Sequence, residues 1–269
     1  MTQTISAAVN PALANQLISK ATAEQPEQKE VNIQSPSDTL VTLPGGYLTP
    51  TGEVITTAEV RELNGKDEEA ISRTPSMGKA LLAVLNRGVV RVGDMPADEK
   101  LLDQLLSGDR DALLLAILKV TFGSVVPAPA YCETCGEFKD ASIDLNADIK
   151  FKVMTDPLNE RVFTVEGKNT EFTVQLPNGI TQKELINNAD KTNSELNSIL
   201  LENTVLKIGN QPVVSKMQVQ NLGIADRQKL IAEINKRVVG PQFDDLMVTC
   251  PDCEGEVRVP INLGALFRL

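Results

Sequence analysis

The fold is decided by two short stretches, CETCG at residues 132–136 and CPDCEG at residues 250–255, which hold all four cysteines of the chain. Two thiolates in a tight C-x-x-C turn can reach one ion at about 2.3 Å, and a glycine after the turn permits the left-handed backbone that directs amides at the sulfurs. Two such turns complete a tetrahedron. The pattern predicts a structural zinc ion, Zn(2+), bound by Cys132, Cys135, Cys250 and Cys253.

The spacing between the two pairs is unusual, because 114 residues separate Cys135 from Cys250. A compact zinc ribbon has roughly 15 to 20 residues there. Strand-like runs flank both pairs, so the sequence predicts zinc-ribbon-like four-cysteine knuckles with a domain inserted between them. Loop-closure entropy grows only logarithmically with length, and a metal clamp on so long a loop can still stabilise the fold by several kcal/mol.

The sequence disfavours three other uses of the cysteines in comparison with a structural metal site. A redox couple is disfavoured because no helix clearly starts within either pair and no cationic partner is near in sequence. Structural disulfides are disfavoured because the chain shows no export signal. A catalytic zinc is disfavoured because four thiolates leave no open position for water or substrate.

The composition indicates a folded, acidic protein. Of 269 residues 42% are hydrophobic and 23% charged, close to globular averages, and 26 Lys plus Arg against 36 Asp plus Glu give a net charge of −10. A field of that sign repels phosphate backbones and anionic lipid heads, so neither nucleic acid nor a membrane surface is an expected partner. With no apolar run of about 18 residues and no signal-peptide pattern, we expect a soluble chain that is cytosolic when made.

The sequence offers no catalytic centre. It contains no histidine, which removes Ser-His-Asp and Cys-His systems and His-ligated metals. Gly45, Gly46 and Gly78 lack the spacing of phosphate-binding loops, and Asp67-Glu68-Glu69 matches an acidic first turn of a helix better than an acid–base site. We therefore predict a chain that is not an enzyme, with no small-molecule substrate and no catalytic or cofactor-binding residues beyond the metal ligands.

The pattern of elements predicts an α+β fold: an N-terminal β-hairpin plus helical region, then the knuckles flanking an inserted α+β domain. The predicted divisions are an extended or disordered arm at 1–38 and an N-terminal hairpin and helical domain at 39–130. They are followed by a zinc-ribbon-like module made of 131–160 with 245–269, and by the inserted α+β domain at 161–244.

Local sequence patterns also predict individual turns, helices and strands. Residues 44–46 are predicted to form a turn, and Asp109 to cap a buried helix that ends near Thr121. A helix is predicted over residues 194–206. Alternating runs predict three or four antiparallel strands at 141–145, 149–154, 161–165 and 171–176.

Three segments together resemble a known family. They are LPGGY at residues 43–47 with VRELNGKDEE at 60–69, the knuckle at 132–136, and the second cysteine pair leading into INLGALF at 261–267. This combination, spread over roughly residues 40–269, resembles the T4-type bacteriophage baseplate hub and tail-assembly proteins. The chain departs from the pattern at Glu254, where glycine is more usual.

The resemblance implies a structural or assembly component of a contractile phage tail baseplate (hub), non-catalytic, whose partners are other phage baseplate, hub or tail proteins. It implies a virion localisation in the tail baseplate, after assembly in the host cytoplasm. The ribbon-like knuckles leave open a zinc-ribbon adaptor or regulatory protein of the transcription or replication machinery. Against that alternative stand the acidic charge and the near absence of basic residues beside the knuckles, where only Lys139 and Arg258 lie close.

Overall fold

The computed structural model describes residues 39–243, 246–250, 252–259 and 261–267. The arm predicted for residues 1–38 lies outside the described residues. The described part is α+β, as the sequence predicts, with antiparallel sheets and helices mixed along the chain. The helices are α1 (Gly65–Ser72), α2 (Met77–Gly88), α3 (Glu99–Gln104), α4 (Ser107–Phe122), α5 (Gly179–Asn187), α6 (Asn193–Thr204), α7 (Lys216–Gln220), α8 (Ile224–Arg237) and α9 (Leu263–Phe267).

Within the described residues, the strands form two four-stranded sheets and three two-stranded ribbons, with neighbouring strands antiparallel. The first sheet has the order β1-β2-β3-β4 and the second β11-β10-β9-β8, while β5 pairs with β6, β7 with β12 and β13 with β14. The strands are β1 (Leu40–Leu48), β2 (Val54–Val60), β3 (Val89–Val92), β4 (Met95–Pro96), β5 (Val125–Cys132), β6 (Glu137–Asp144), β7 (Lys150–Lys152), β8 (Val162–Glu166), β9 (Glu171–Gln175), β10 (Val205–Ile208), β11 (Gln211–Pro212), β12 (Gly240–Gln242), β13 (Leu246–Thr249) and β14 (Glu256–Val259).

Helix α4 is the centre of the main hydrophobic core. Leu113, Leu115 and Ile117 are fully buried, and the helix lies against β1, β2, α2, α9 and β12. A helix that is apolar around most of its circumference must be covered on most sides, so this burial confirms the sequence prediction. Because the same cluster includes Cys132 and Cys250, the first sheet and the two cysteine turns share one core.

A second cluster lies between the cysteine pairs in sequence. It is built from the second sheet with helices α6, α7 and α8, and its members include Phe172, Val174, Leu201 and Leu230. The four-part division of the chain predicted above stays a prediction. Among the helices described here, none combines the length and apolar character that crossing a bilayer requires.

Two local predictions near α4 are wrong for a single reason. Gly45 and Gly46 do not form a turn; they lie inside β1, at a bulge that shifts its register against β2 between Thr42 and Tyr47. Asp109 does not cap α4, which begins earlier, at Ser107. The Asp109 carboxylate instead accepts hydrogen bonds from the amides of Gly45 at 2.6 Å and Gly46 at 3.3 Å. Asp109 thereby provides the hydrogen-bond acceptor for the two amides at the bulge of β1, a strand that is distant in sequence.

Other elements also differ from the sequence predictions. The helix predicted to run to Leu206 ends at Thr204, because the chain turns into β10, which pairs with β9 and with β11 across a turn at Gly209 (φ +58°). The four strands predicted between residues 141 and 176 form, but they belong to three different sheets. The strand-like character predicted around the second cysteine pair does not extend to residues 263–267, which form the short helix α9 with Leu266 and Phe267 buried in the main core. Leu269 lies outside the described residues.

Candidate metal centre

The first cysteine turn is the end of a long β-ribbon. Strands β5 and β6 pair over eight positions, from Val125 opposite Asp144 to Cys132 opposite Glu137. The chain reverses through residues 133–136, and the amide of Gly136 donates to the carbonyl oxygen of Cys132 at 2.8 Å. Gly136 has φ +72°, the left-handed value expected after such a turn. The amide of Cys135 points at the Cys132 sulfur, 3.4 Å away.

The second cysteine turn repeats this geometry at the end of the β13–β14 ribbon. The amide of Glu254 donates to the carbonyl oxygen of Cys250 at 3.0 Å, and the amide of Cys250 donates to the carbonyl oxygen of Gly255 at 2.8 Å. Glu254 has φ +57°, the one positive value of a residue other than glycine in the described part of the chain. The departure from glycine therefore leaves the turn intact but places a glutamate in a strained conformation.

The four sulfurs converge in the pattern of a tetrahedral site. All lie within 4.8 Å of one another, with 3.6 Å between the sulfurs of Cys132 and Cys253 and 3.9 Å between those of Cys135 and Cys250. Bonds of about 2.3 Å to a tetrahedral ion place sulfurs about 3.8 Å apart, whereas a disulfide needs about 2.05 Å. All four thiols are free. The sequence-predicted ligand set is thus brought together, at a spacing that fits a metal and does not fit a disulfide.

The site is tied into the core on one side and lies near the surface on the other. Cys132 and Cys250 are each 1% exposed, while Cys135 and Cys253 are half-buried. Strand β14 lies against β5, so the two ribbons are joined by packing as well as by the sulfurs. The amides of Asp252 and Cys253, which point at the Cys250 sulfur, lower the pKa of that thiol to about 7, whereas contact with the Cys253 thiol is the main cause that raises the pKa of Cys135 to about 12.

Lys139 connects the two cysteine turns by ion pairs. Its Nζ lies 2.6 Å from Asp252 Oδ2 on the second turn and 2.8 Å from Glu137 Oε2 at the foot of the first. These partners raise the pKa of Lys139. The ammonium group therefore stays charged between these two carboxylates.

One buried charged cluster was not predicted as such. Asp67, interpreted from the sequence as a helix-dipole residue, is 2% exposed and binds Arg61 at 2.8 Å and Arg87 at 3.1 Å. The guanidinium of Arg61 is the main reason that the pKa of Asp67 falls well below its usual range. Asp67 also completes a capping box with Asn64 at the start of α1. Only the capping pattern is a local signal in the sequence, because Arg87 lies 20 residues away.

Comparison with known proteins identifies the family. No curated protein and no solved structure matches the chain. The model of the family described as T4 bacteriophage base plate protein matches residues 50–210, more than half of the chain. This match confirms the family resemblance drawn from the short motifs, although the matched range stops before the second cysteine pair. The chain belongs to the T4 bacteriophage base plate protein family.

Proposed function

We propose that the chain is a non-catalytic structural component of the baseplate hub of a contractile phage tail, stabilised by one structural zinc ion. The family match supports the baseplate role. The observation that carries the structural character of the site is the convergence of four sulfurs within 4.8 Å. Four thiolates fill the coordination sphere of zinc, so such a site has no position for a substrate or an activated water.

The donor set favours a thiophilic ion, and we propose that the ion is zinc. Four thiolates in a tetrahedral arrangement suit zinc or iron, while oxygen-preferring ions such as magnesium and calcium are excluded by the ligand type. Two knuckles, each with an amide directed at the sulfur of its first cysteine, form the common setting of a structural zinc. When bound, the ion supplies a cross-link and no chemistry of its own.

The position of the cross-link gives it a mechanical role. Cys132 and Cys253 are 121 residues apart in the chain, and the second hydrophobic cluster is formed by residues between them. A metal bridge there closes the base of the predicted insertion at 161–244 and fixes it to the ribbon module of 131–160 with 245–269. Because the entropy of the unfolded loop is reduced, we expect several kcal/mol of stabilisation.

The proposed partners are other baseplate, hub or tail proteins, met in the host cytoplasm during assembly and retained in the virion. A scaffold of this kind needs rigid elements and contact surfaces. The buried helix α4 and the clamped ribbons provide rigidity, and the acidic charge of −10 disfavours nucleic acid and membrane surfaces as partners.

A conditional nonsense mutation in the gene of the encoding phage tests the proposal. Under non-permissive conditions we expect heads and no functional tails, with restoration of contractile tails by a plasmid copy of the gene. Mass spectrometry of purified baseplates and their assembly intermediates should detect the chain. Normal tails without the protein, or its absence from every intermediate, would contradict the assembly role.

A further inference from the structure

Strand β7 is an exposed strand with one open edge. Its three residues, Lys150, Phe151 and Lys152, are all exposed. Among the described residues β12 is the only strand that pairs with it, so the edge of β7 that faces away from β12 has no neighbouring strand. An open edge presents backbone groups to which a further strand can bond.

The register of β7 against β12 identifies the backbone groups at this edge. Phe151 lies opposite Pro241, which has no amide hydrogen. Proline therefore fits the kind of antiparallel pair in which the two residues do not bond to each other and direct their N–H and C=O groups apart. The amide and the carbonyl oxygen of Phe151 point outward, and neither has a backbone partner within the described ranges.

Lysine side chains border β7 on both of its faces. Lys150 and Lys152 are two positions apart and so lie on one face of the strand. Phe151 lies on the other face, where the Nζ of Lys119 is 5.9 Å from the centre of its ring. On the first face, Lys152 Nζ donates to the carbonyl oxygen of Lys236 in the last turn of α8, which brings a fourth lysine to the strand.

The charges of these four lysines are not neutralised by ion pairs. Within the described part of the chain none of them forms one, and three are exposed while Lys119 is half-buried. The two acidic residues that precede β7, Asp144 and Asp148, accept hydrogen bonds from amides of their own loop, at 2.9 and 2.8 Å. In a chain of net charge −10, a group of unpaired lysines on one strand indicates a partner that carries carboxylates.

The same lysines disfavour two other occupants of the edge. Two copies of the chain that paired through β7 would place lysine beside lysine, and like charges across strands are destabilising. Lysine on an edge strand protects in this way against unwanted pairing, and acidic side chains on the added strand remove that barrier. Nucleic acid has no strand backbone to pair with both outward groups of Phe151, and the net charge of the chain repels its phosphates.

We infer that β7 is a docking edge for another protein of the baseplate, which adds an extended segment rich in Asp and Glu beside it. The backbone of this segment bonds to the outward N–H and C=O of Phe151. Its carboxylates lie beside Lys150 and Lys152 on one face and near Lys119 on the other. In strand addition the main-chain bonds supply affinity and the side chains supply specificity. The inference rests on the proposed baseplate role and names the contact that carries it out.

The test places a photo-crosslinking phenylalanine analogue at position 151 in the complementing copy of the gene. Baseplates from the complemented phage are irradiated, and the cross-linked peptides are sequenced. We expect cross-links to an Asp- and Glu-rich segment of another baseplate chain. Cross-links only to a second copy of this chain or to DNA, or none to any protein although the chain is in the baseplate, would overturn the inference. Absence of the chain from every baseplate intermediate would instead contradict the proposed function.

A charge reversal gives an independent readout. Lys150→Glu should reduce incorporation into baseplates by about tenfold or more, because it sets a carboxylate against the carboxylates of the partner. Its thermal stability and zinc content should match the unmodified chain, since Lys150 is exposed. Lys207→Glu makes the same change at an exposed strand position of the second sheet and is the matched control, with incorporation unchanged. Normal incorporation of Lys150→Glu would overturn the inference.

A second pair of variants tests the backbone contact separately. Phe151→Pro removes the outward amide hydrogen without breaking a bond to β12, and proline is tolerated on an edge strand where the N–H faces solvent. Phe151→Ala removes only the ring and is the comparison. After thermal unfolding has verified that both variants fold, incorporation should be lower for the proline variant than for the alanine variant. Equal incorporation of the two would show that no strand is added at this edge.

Discussion

Glu254 occupies in the second cysteine turn the place that Gly136 occupies in the first. Each follows the second cysteine of its pair, each has positive φ, 57° and 72°, and each amide donates to the carbonyl oxygen of the first cysteine, at 3.0 Å and 2.8 Å. The two turns are therefore equivalent in geometry and unequal in conformational cost. A left-handed conformation is free for glycine and costs other residues about 1 kcal/mol or more.

The substitution Glu254→Gly should therefore stabilise the chain by about 1 kcal/mol, because it relieves the left-handed strain. Gly136→Ala is the matched change in the opposite direction and should destabilise by a similar amount. A Cβ at position 136 would have nothing within 4 Å, so only the backbone conformation is affected. Denaturant unfolding of both variants in the presence of zinc is the measurement. A less stable Glu254→Gly protein would show that the equivalence of the turns is wrong.

A second prediction concerns the contact between Gly108 in α4 and β12. A Cβ on Gly108 would lie 1.7 Å from the carbonyl oxygen of Val239, which is backbone and cannot rotate away. Gly108→Ala should therefore cost about 2 to 4 kcal/mol, or displace β12 from the helix.

Gly65→Ala is the control for that substitution, because Gly65 is also at the start of a helix and a Cβ there meets nothing within 4 Å. It should leave stability unchanged or raise it slightly. Thermal unfolding of the two variants side by side provides the comparison, and equal melting temperatures would contradict the close approach of α4 and β12.

The third prediction concerns pH. Burial is the main cause that raises the pKa of Asp109 to about 6, from the ordinary 3.8, against the opposing effect of the Gly45 and Gly46 amides. The folded chain therefore binds this proton more tightly than the unfolded chain does. Above pH 6 this difference lowers the free energy of unfolding by an amount on the order of 3 kcal/mol. The destabilisation disappears as the pH falls from about 6 to about 4.

Asp109→Asn should remove this contribution while its side-chain oxygen still accepts from the bulge amides. We expect the stability of the variant relative to the unmodified chain to rise between pH 4 and pH 7, measured by denaturant unfolding at each pH. Asp94→Asn changes a fully exposed carboxylate and should leave the pH profile as it was. If Asp109→Asn and the unmodified chain gave parallel profiles, the buried carboxylate would not titrate as described.

The fold and the metal centre differ in how much of them could be predicted from sequence. The four ligands could be predicted because each pair is a local pattern, with its turn, spacing and glycine contained in a few residues. Helix α4 and the capping residue Asn64 could be predicted for the same reason. Such local patterns can be recognised in the sequence without knowledge of the rest of the fold.

The wrong predictions depend on contacts between distant parts of the chain. Asp109 looks like a helix cap until Gly45, 64 residues earlier, is brought to its carboxylate. Likewise, the turn predicted at Gly45 and Gly46 becomes a bulge because a buried acceptor satisfies both amides. No window of neighbouring residues contains that information, so periodicity and turn propensity alone give the wrong assignment.

The zinc content of the purified full-length chain tests the four-thiolate site most directly. Elemental analysis of protein purified without added metal should give one zinc per chain, bound through four sulfurs by X-ray absorption. Cys250→Ser should lose most of the zinc and several kcal/mol of stability, while Thr134→Ser in the first turn keeps both. A metal-free preparation of the unmodified chain that retains full thermal stability would contradict a zinc-clamped baseplate scaffold.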